Sequence, residues 1–344
     1  MSIAAQIGGK ASGARLARVE ASPQFTAGRF RNTVPTATGL SLSAIPRVAV
    51  ATLTGGAARR PHQAIPVVRT PSTDAQGLHV TWYGHSTAMI DIEGHRVLLD
   101  PVWSARCSPS QLAGPRRLHE PPVVLHELPP IDAVVISHDH YDHLDMTTIQ
   151  TLARLHAATF VVPLGVGAHL ERWGVPQDRI AELDWNESTH VGGLELVATP
   201  ARHFSGRGLT RDETLWASWV IKGPTRKAFY SGDTGYFPGF AEIGAQHGPF
   251  DVTLVQVGAY GDDWADIHMV PEDGVATHLD VRGGLLIPVH WATFDLAPHR
   301  WSEPAERTWL EAKARGAQLA IPRPGERVDV DAPPEIESWW QQIA

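Results

Sequence analysis

The chain has 344 residues, of which 43% are hydrophobic and 19% are charged, and its formal net charge is −8. These values are typical of a soluble globular protein and exclude a disordered or fibrous one, and the length allows one large domain or two ordinary ones. The acidic balance disfavours nucleic acid as a general partner. Cys107 is the only cysteine, which excludes an internal disulfide bond, so folding does not depend on an oxidising compartment.

The N-terminal part of the chain differs in charge from the rest. Residues 1–72 contain nine Lys and Arg against a single acidic residue, Glu20, a net charge of +8 that leaves −16 for the remainder. We predict that residues 1–76 form a basic arm that is either partly ordered over the body or flexible. Its charge either attracts anionic lipid head groups or belongs to a solvated extension without a partner.

The sequence also bears on location. It contains no apolar run long enough to cross a bilayer and no compact apolar core of a secretory signal near its start. We therefore expect a cytoplasmic protein, with peripheral contact at a membrane as a further option. The sequence leaves the oligomeric state open.

Residues 77–344 alternate between apolar, β-branched runs and segments with helical spacing, so we predict one α/β domain there. The predicted strands lie at 78–82, 87–92, 95–99, 132–137, 159–163, 194–199, 215–221, 227–230, 252–257 and 284–289. The predicted helices lie at 146–156, 165–173, 237–247, 271–280 and 300–315.

A cluster of histidines and aspartates follows the predicted strand at 132–137. His138, His140, Asp142 and His143 lie within six residues on a strand-to-helix loop. Imidazole nitrogens and carboxylate oxygens are zinc ligands, and they also suit iron or manganese. The alternative is a polar surface loop that is merely rich in histidine. The density of these residues directly after a buried strand favours the metal site.

Three further candidate ligands each follow a predicted strand directly: His203, Asp233 and His290. Because strand ends on one edge of a sheet converge, four loops can deliver their side chains to one cavity. We assign the donors to two ions, with Asp233 between them. The ligands of one ion are His138, His140 and His203, and those of the other are Asp142, His143 and His290.

The donor set favours a catalytic site over a structural one. Two ions about 3.5–4 Å apart lower the pKa of a bridging water and stabilise charge on a phosphoryl or acyl oxygen. A structural zinc site is usually closed, four-coordinate and rich in cysteine. Asp100 ends a predicted strand, and we expect it to hold a ligating histidine. His85 is either a site residue or a hydrogen-bonded structural histidine, and the second interpretation is favoured.

The loop pattern His-x-His-x-Asp-His at 138–143 resembles the metallo-β-lactamase superfamily. Further motifs resemble the branch that contains N-acyl-phosphatidylethanolamine-hydrolysing phospholipase D and its bacterial relatives, over roughly residues 78–330. These motifs lie at 108–111, 114–115, 127–134, 137–145, 232–236, 248–251, 258–260, 268–272 and 290–294.

This resemblance implies a four-layered αβ/βα sandwich with a binuclear metal site at one edge of the sheets. It implies ligands at all seven positions assigned above, and it places His268 near the substrate. The candidate catalytic residues are thus Asp142, Asp233 and His268. The expected cofactors are two Zn²⁺ ions, with iron or manganese as alternatives. Classical β-lactamases of the superfamily often use a cysteine ligand where this chain has Asp233, which disfavours β-lactam hydrolysis.

The resemblance further implies a phosphodiesterase of phospholipase D type that acts on N-acyl-phosphatidylethanolamine-like lipids. Two alternatives stay open. One is a lactonase or another small-molecule ester or phosphodiester hydrolase of the same fold, and the other is a non-enzymatic metal-binding protein. Several aromatic residues either line a groove for the acyl chains or pack in the core: Trp103, Trp264, Trp291, Tyr236 and Tyr260.

Overall fold

The computed structural model describes residues 3–39, 57–71, 74–208 and 210–344. Residues 1–2, 40–56 and 72–73 of the predicted arm lie outside the described residues. The arm begins with two helices and a short hairpin, which are α1 (Ile3–Ile7), α2 (Gly13–Glu20), β1 (Phe25–Thr26) and β2 (Arg29–Phe30). Val19 and Phe30 are buried in the main core, so this part of the arm packs on the body. The domain boundary at residue 76 stays a prediction.

The first half of the body forms a seven-stranded sheet. Its strands up to the middle of the chain are β3 (Leu78–Gly84), β4 (Thr87–Ile92), β5 (His95–Leu99), β6 (Ala133–Val135), β7 (Thr159–Pro163) and β8 (Ile180–Leu183). β3, β4 and β5 pair antiparallel, whereas β5 to β8 run parallel. The parallel connections contain α3 (Met146–Leu155) and α4 (Gly167–Arg172).

The second half repeats this plan. Its strands are β9 (Ser188–Val191), β10 (Leu194–Thr199), β11 (Ser218–Lys222), β12 (Lys227–Tyr230), β13 (Phe250–Gln256), β14 (Gly283–Val289) and β15 (Gln318–Leu319). The helices are α5 (Gly239–His247), α6 (Pro271–Asp280), α7 (Glu303–Arg315) and α8 (Trp339–Gln342). β9 to β12 pair antiparallel and β12 to β15 run parallel. β16 (Arg327–Asp329) returns to the edge of the first sheet beside β3.

Alternation along the strands builds four layers. Val97 and Leu99 face the core between the two sheets, while Leu98 between them packs against the helices of the first half. In the second sheet Tyr230 faces the same core, and Phe229 packs under the helices of the second half. Successive strand residues point to opposite faces, so each sheet buries both sides. A fully buried Val, Leu or Phe contributes about 1.5–3 kcal/mol.

The predicted four-layered αβ/βα sandwich is therefore confirmed. All predicted strands and helices are present, with ends that differ by at most three residues. Shifts of three residues occur at 300–315, where the helix begins at Glu303, and at 215–221, where the strand begins only at Ser218. Leu215 and Ala217 instead donate backbone hydrogen bonds to Leu164 and Ser137, across to the first sheet. The short strands β8, β9, β15 and β16 were not predicted, because each has only two to four residues, too few for an apolar run or an alternation to be recognised.

Two of the five aromatic residues named above are buried. Trp291 stacks between Trp82 and Trp339, with ring centroids 5.4 Å away on either side, and it is buried in the core. Tyr260 is also buried and donates its hydroxyl hydrogen to Glu303 at 2.5 Å. Trp291 therefore packs in the core, which is one of the two alternatives given above. Among the helices of the described residues, none is long and apolar enough to span a bilayer.

Candidate metal centre

The candidate ligands lie at one edge of the two sheets. The metal loop, residues 138–145, leaves β6, while His203, Asp233 and His290 follow β10, β12 and β14. The loop ends in Asp145, which caps α3 by accepting hydrogen bonds from Thr147 N and from Thr148 Oγ1 at 2.5 Å. The sequence thus folds the loop between a buried strand and a capped helix.

Three histidines form the first donor group. His138 Nε2 lies 2.8 Å from His140 Nδ1, and His203 Nε2 lies 3.3 Å from the same atom. One nitrogen from each ring lies within 4.8 Å of the other two, a spacing that one ion can bridge. His138 and His203 are buried, and His140 is partly buried.

The second donor group lies beside the first. It contains His85, Asp142, His143 and His290, again with donor atoms within 4.8 Å of one another. Asp142 Oδ2 is 2.9 Å from His85 Nε2 and 3.4 Å from His290 Nε2. The sequence-based assignment had not placed His85 in this group. The sequence feature that could have identified His85 is its position directly after β3, because the other candidates were identified by the same strand-end position.

Asp233 lies between the two groups. Its Oδ2 is 3.0 Å from His290 Nε2, 3.1 Å from His143 Nε2 and 3.9 Å from His203 Nε2. One carboxylate therefore reaches imidazoles of both groups. His268 Nδ1 lies 4.0 Å from the same oxygen, and 14% of the His268 side chain is exposed, more than of any other imidazole in contact with Asp233.

The structure thus brings all eight sequence-predicted site residues to one place. Their roles as metal ligands and catalytic groups stay predictions. Asp139, inside the metal loop, belongs to neither donor group, because Gly206 N and Thr214 Oγ1 donate hydrogen bonds to its carboxylate at 2.7 and 3.0 Å.

Comparison with known proteins agrees with this geometry. The family model described as "Beta-lactamase superfamily domain" matches residues 95–291, which is more than half of the chain. The chain belongs to the metallo-β-lactamase superfamily. It is a metal-dependent hydrolase, as the resemblance predicted.

Two relatives illustrate the range within this superfamily. An uncharacterized protein of Mycobacterium tuberculosis is 52% identical over 329 residues, which cover 94% of this chain and 88% of the relative. The N-acyl-phosphatidylethanolamine-hydrolyzing phospholipase D 1 of Caenorhabditis elegans is 36% identical over 232 residues, which cover 64% of this chain and 65% of the worm protein. The solved structure of Igni18, a metallo hydrolase from Ignicoccus hospitalis, shares the fold with a TM-score of 0.57. That match has 23% identity and covers 73% of this chain and 97% of Igni18.

The metallo-β-lactamase site is held by buried hydrogen bonds around Asp100. Its carboxylate accepts hydrogen bonds from Ser137 N at 2.7 Å and from the Tyr230 hydroxyl at 2.5 Å, and Oδ2 lies 2.6 Å from His143 Nδ1. Ser137 Oγ also donates to Asp100. Asp100 therefore orients a candidate ligand, as the sequence predicted.

The two donor groups differ in the pKa values of their histidines. Burial lowers the pKa of His138 well below its usual range, and the neighbouring His143 lowers it further. Burial also lowers the pKa of His290, but Asp233 and Asp142 outweigh burial and raise it to about 9. Burial raises the pKa of Asp233, yet His143 and His290 bring it well below its usual range. The first group is thus neutral near pH 7, and the second pairs imidazolium with carboxylate.

The residues fit a pair of metal ions. Several buried polar atoms of the site have no hydrogen-bond partner among the residues that the structure describes: His85 Nδ1, His143 Nε2, His268 Nδ1, His290 Nδ1 and Nε2, and Asp233 Oδ1. An unsatisfied buried polar group costs about 1–3 kcal/mol. Divalent cations satisfy such nitrogens and oxygens, and imidazole with carboxylate suits zinc, iron or manganese.

Proposed function

We propose that this metallo-β-lactamase protein is a binuclear zinc phosphodiesterase of phospholipase D type that cleaves N-acyl-phosphatidylethanolamine-like lipids. The observation that carries the proposal is the position of Asp233, whose single carboxylate reaches imidazoles of two adjacent donor groups. The substrate class is supported by the worm relative, whose name states that activity, and by a mitochondrial yeast relative of the same name. The yeast match is 30% identical over 69% of this chain and 52% of the relative.

Each donor group has a distinct role in this proposal. His138, His140 and His203 would hold one ion as neutral ligands. Asp142, His143 and His290 would hold the other, and Asp233 would be shared by both groups. Two bound ions would lower the pKa of a coordinated water and neutralise charge on phosphoryl oxygens.

The chain's own residues orient the reaction. Water oxygen attacks phosphorus, the bond from phosphorus to the ethanolamine oxygen breaks, and the alcohol leaves with a proton that comes from the attacking water. Asp142 lies at the mouth of the site, with 16% of its side chain exposed, where it can accept a proton or orient the water. Burial lowers the pKa of His268 to about 4. The neutral His268 ring can therefore donate a hydrogen bond to the substrate.

A lipid substrate requires contact with a membrane, and the loop at 105–117 is suited to it. The backbones of Arg106 and Arg116 form an antiparallel β-bridge across this loop. Leu112, at the tip of the loop, is 93% exposed. Residues 104–119 carry three arginines and no acidic residue, in a chain whose net charge is −8. An exposed leucine on the same loop as the exposed Arg116 and the half-buried Arg106 is complementary to an anionic lipid surface.

The base of this loop lies beside the second donor group. The Arg117 guanidinium packs over the Phe294 ring at 5.2 Å, and that ring lies 5.2 Å from the ring of His85. A membrane bound at Leu112 would therefore face the candidate metal centre. Peripheral contact of this kind is part of the proposed function.

The decisive experiment is hydrolysis of N-acyl-phosphatidylethanolamine in mixed micelles by zinc-loaded protein, with products identified by mass spectrometry. We expect phosphatidic acid and the N-acylethanolamine. The matched control is His290→Ala protein at the same concentration. Turnover of a lactone panel, without turnover of the lipid by metal-loaded protein, would refute the phosphodiesterase assignment and favour a lactonase.

A further inference from the structure

Arg207 connects the metal loop to the first helix of the chain. Its side chain is buried, and Nη1 donates hydrogen bonds to Asp139 O and to Leu144 O, each at 2.7 Å. These carbonyls lie near the beginning and the end of the metal loop. The guanidinium of Arg207 therefore bridges the two ends of a segment that contains three of the candidate ligands.

The other edge of the guanidinium binds the N-terminal strap, which we define as residues 3–20. Arg207 Nε donates a hydrogen bond to Gln6 O at 3.0 Å, and Trp173 Nε1 donates one to Ala5 O at 2.8 Å. Carbonyls at the end of a helix lack intrahelical partners, so these two donors fix the end of α1. The guanidinium also lies 4.1 Å above the ring of Tyr141, in the metal loop.

The strap makes a second connection through Asp139. Its carboxylate accepts hydrogen bonds from Gly206 N and Thr214, and Oδ2 lies 3.2 Å from His169 Nε2. The opposite edge of the His169 ring touches the strap, because a Cβ built at Gly8 would lie 2.2 Å from His169 Nδ1. The backbone of the strap therefore packs directly on the ring that holds Asp139.

Ion pairs fix the strap to the same support. Arg15 lies 2.5 Å from Glu182 and 2.6 Å from Glu171, and the side chains of Arg15 and Glu182 are only 15% and 11% exposed. Glu182 also accepts hydrogen bonds from Gly165 N and Gly167 N, at the start of the helix that carries His169. Pairs this well buried are screened less by salt than pairs on the surface.

We infer that the N-terminal strap positions the metal loop for metal binding, with Arg207 and His169 as the positioning residues. The inference rests on the metal assignment proposed above. Groups that orient metal ligands typically contribute 10–100-fold to metal affinity. Displacement of the strap is therefore expected to weaken metal binding by about 10-fold or more, although no strap residue is itself a ligand.

The test displaces the strap and leaves Arg207 and the metal loop unchanged in sequence. A Cβ at Gly9 would lie 2.1 Å from the backbone oxygen of Ala168, so the variant Gly9→Val cannot keep the strap in place. The matched control is Lys10→Ala, at a side chain that is 75% exposed and pairs only at the surface with Glu213. Zinc affinity is measured on the full-length proteins by competition with a chromophoric chelator, together with hydrogen exchange of the metal loop.

The expected result is a zinc affinity about 10-fold weaker or more for Gly9→Val, faster exchange of the metal loop, and wild-type behaviour for Lys10→Ala. Wild-type zinc affinity in Gly9→Val protein whose strap exchanges rapidly would overturn the inference, since the strap would then only stabilise the fold.

A second variant covers the case in which Gly9→Val does not fold. Trp173→Phe keeps an aromatic ring and removes the hydrogen bond to Ala5 O, so its zinc affinity is expected to fall in the same direction. Equal affinities of Trp173→Phe and wild type would refute the strap's role alone. A wild-type protein that binds no metal would instead refute the metal assignment itself.

Discussion

The Nδ1 atom of His143 lies 2.6 Å from Oδ2 of Asp100, and both side chains are completely buried. The carboxylate also accepts hydrogen bonds from Ser137 N and the Tyr230 hydroxyl, so it cannot rotate away. Since Asp100 binds the Nδ1 edge, His143 presents Nε2 to Asp233 at 3.1 Å. Such a partner fixes the tautomer and the ring orientation of a metal-binding histidine.

The variant Asp100→Asn is expected to bind zinc 10–100-fold more weakly, because the amide is a poorer acceptor for the Nδ1 proton of His143. Chelator competition on purified protein measures this change. Asp178→Asn is the matched control, since Asp178 is exposed and lies outside the site. Unchanged zinc affinity in Asp100→Asn would show that the negative charge of Asp100 is not needed to orient the His143 ring.

The variant Asp233→Asn tests the bridge between the two donor groups. The amide cannot carry the negative charge that both groups face, so turnover is expected to fall by more than about 100-fold, beyond the range typical of residues that only orient a ligand. Bound metal, measured by elemental analysis, should fall from two ions toward one. Circular dichroism should show a retained fold. Near-normal turnover of the pure variant would refute the proposed bridge.

Strand ends were the signal that made most of this site predictable. A run of apolar and β-branched residues that stops at a histidine or aspartate identified His203, Asp233 and His290, and in the structure both imidazoles lie within 4 Å of the Asp233 carboxylate. The same alternation predicted both sheets. His85 satisfies the same criterion, but a lone histidine after a strand is more often structural, and its closeness to Asp142 depends on how the strands pair.

The support of the metal loop could not be predicted from the sequence. Arg207 joins Gln6, Asp139 and Leu144, residues far apart in the chain that share no periodic pattern. The charge of the N-terminal arm suggested lipid head groups or no partner. The described strap, however, pairs several of its basic residues with acidic side chains of the body, as Arg15 does with Glu182. Charge counts along a sequence do not reveal such pairing.

Metal uptake is expected to depend on pH through His290. In the metal-free protein its pKa is raised to about 9 by Asp233 and Asp142 against the effect of burial, so the ring is protonated near neutral pH. A ligand must lose this proton to bind metal, and zinc affinity should therefore rise as the pH increases from neutral through about 9. Titration calorimetry in buffers of different ionisation enthalpy should detect proton release near neutral pH that decreases as the pH rises through about 9.

His290 also makes the stability of the metal-free protein depend on pH, but stability falls as the pH rises, whereas zinc affinity increases. A folded-state pKa above the unfolded value of about 6.5 stabilises the fold fully below pH 6.5. That contribution is lost as the pH rises through about 9. His290→Gln protein should lack this loss in urea unfolding. If zinc binding released the same number of protons from His290→Gln and wild-type protein, His290 would not be the group that gives up the proton.

The loop at 105–117 predicts how the protein meets lipid. Burial of one leucine contributes about 1.5–3 kcal/mol, so Leu112→Asp is expected to weaken binding to vesicles that contain phosphatidylglycerol by about 10-fold or more. Arg116→Glu should weaken it further at low salt, because surface attraction is screened by ions. Cosedimentation with vesicles measures both effects. The matched control is Leu310→Asp on α7, a leucine that is also exposed, at 53%, but outside this loop. Equal losses in Leu112→Asp and Leu310→Asp would show that the loop is not the contact surface.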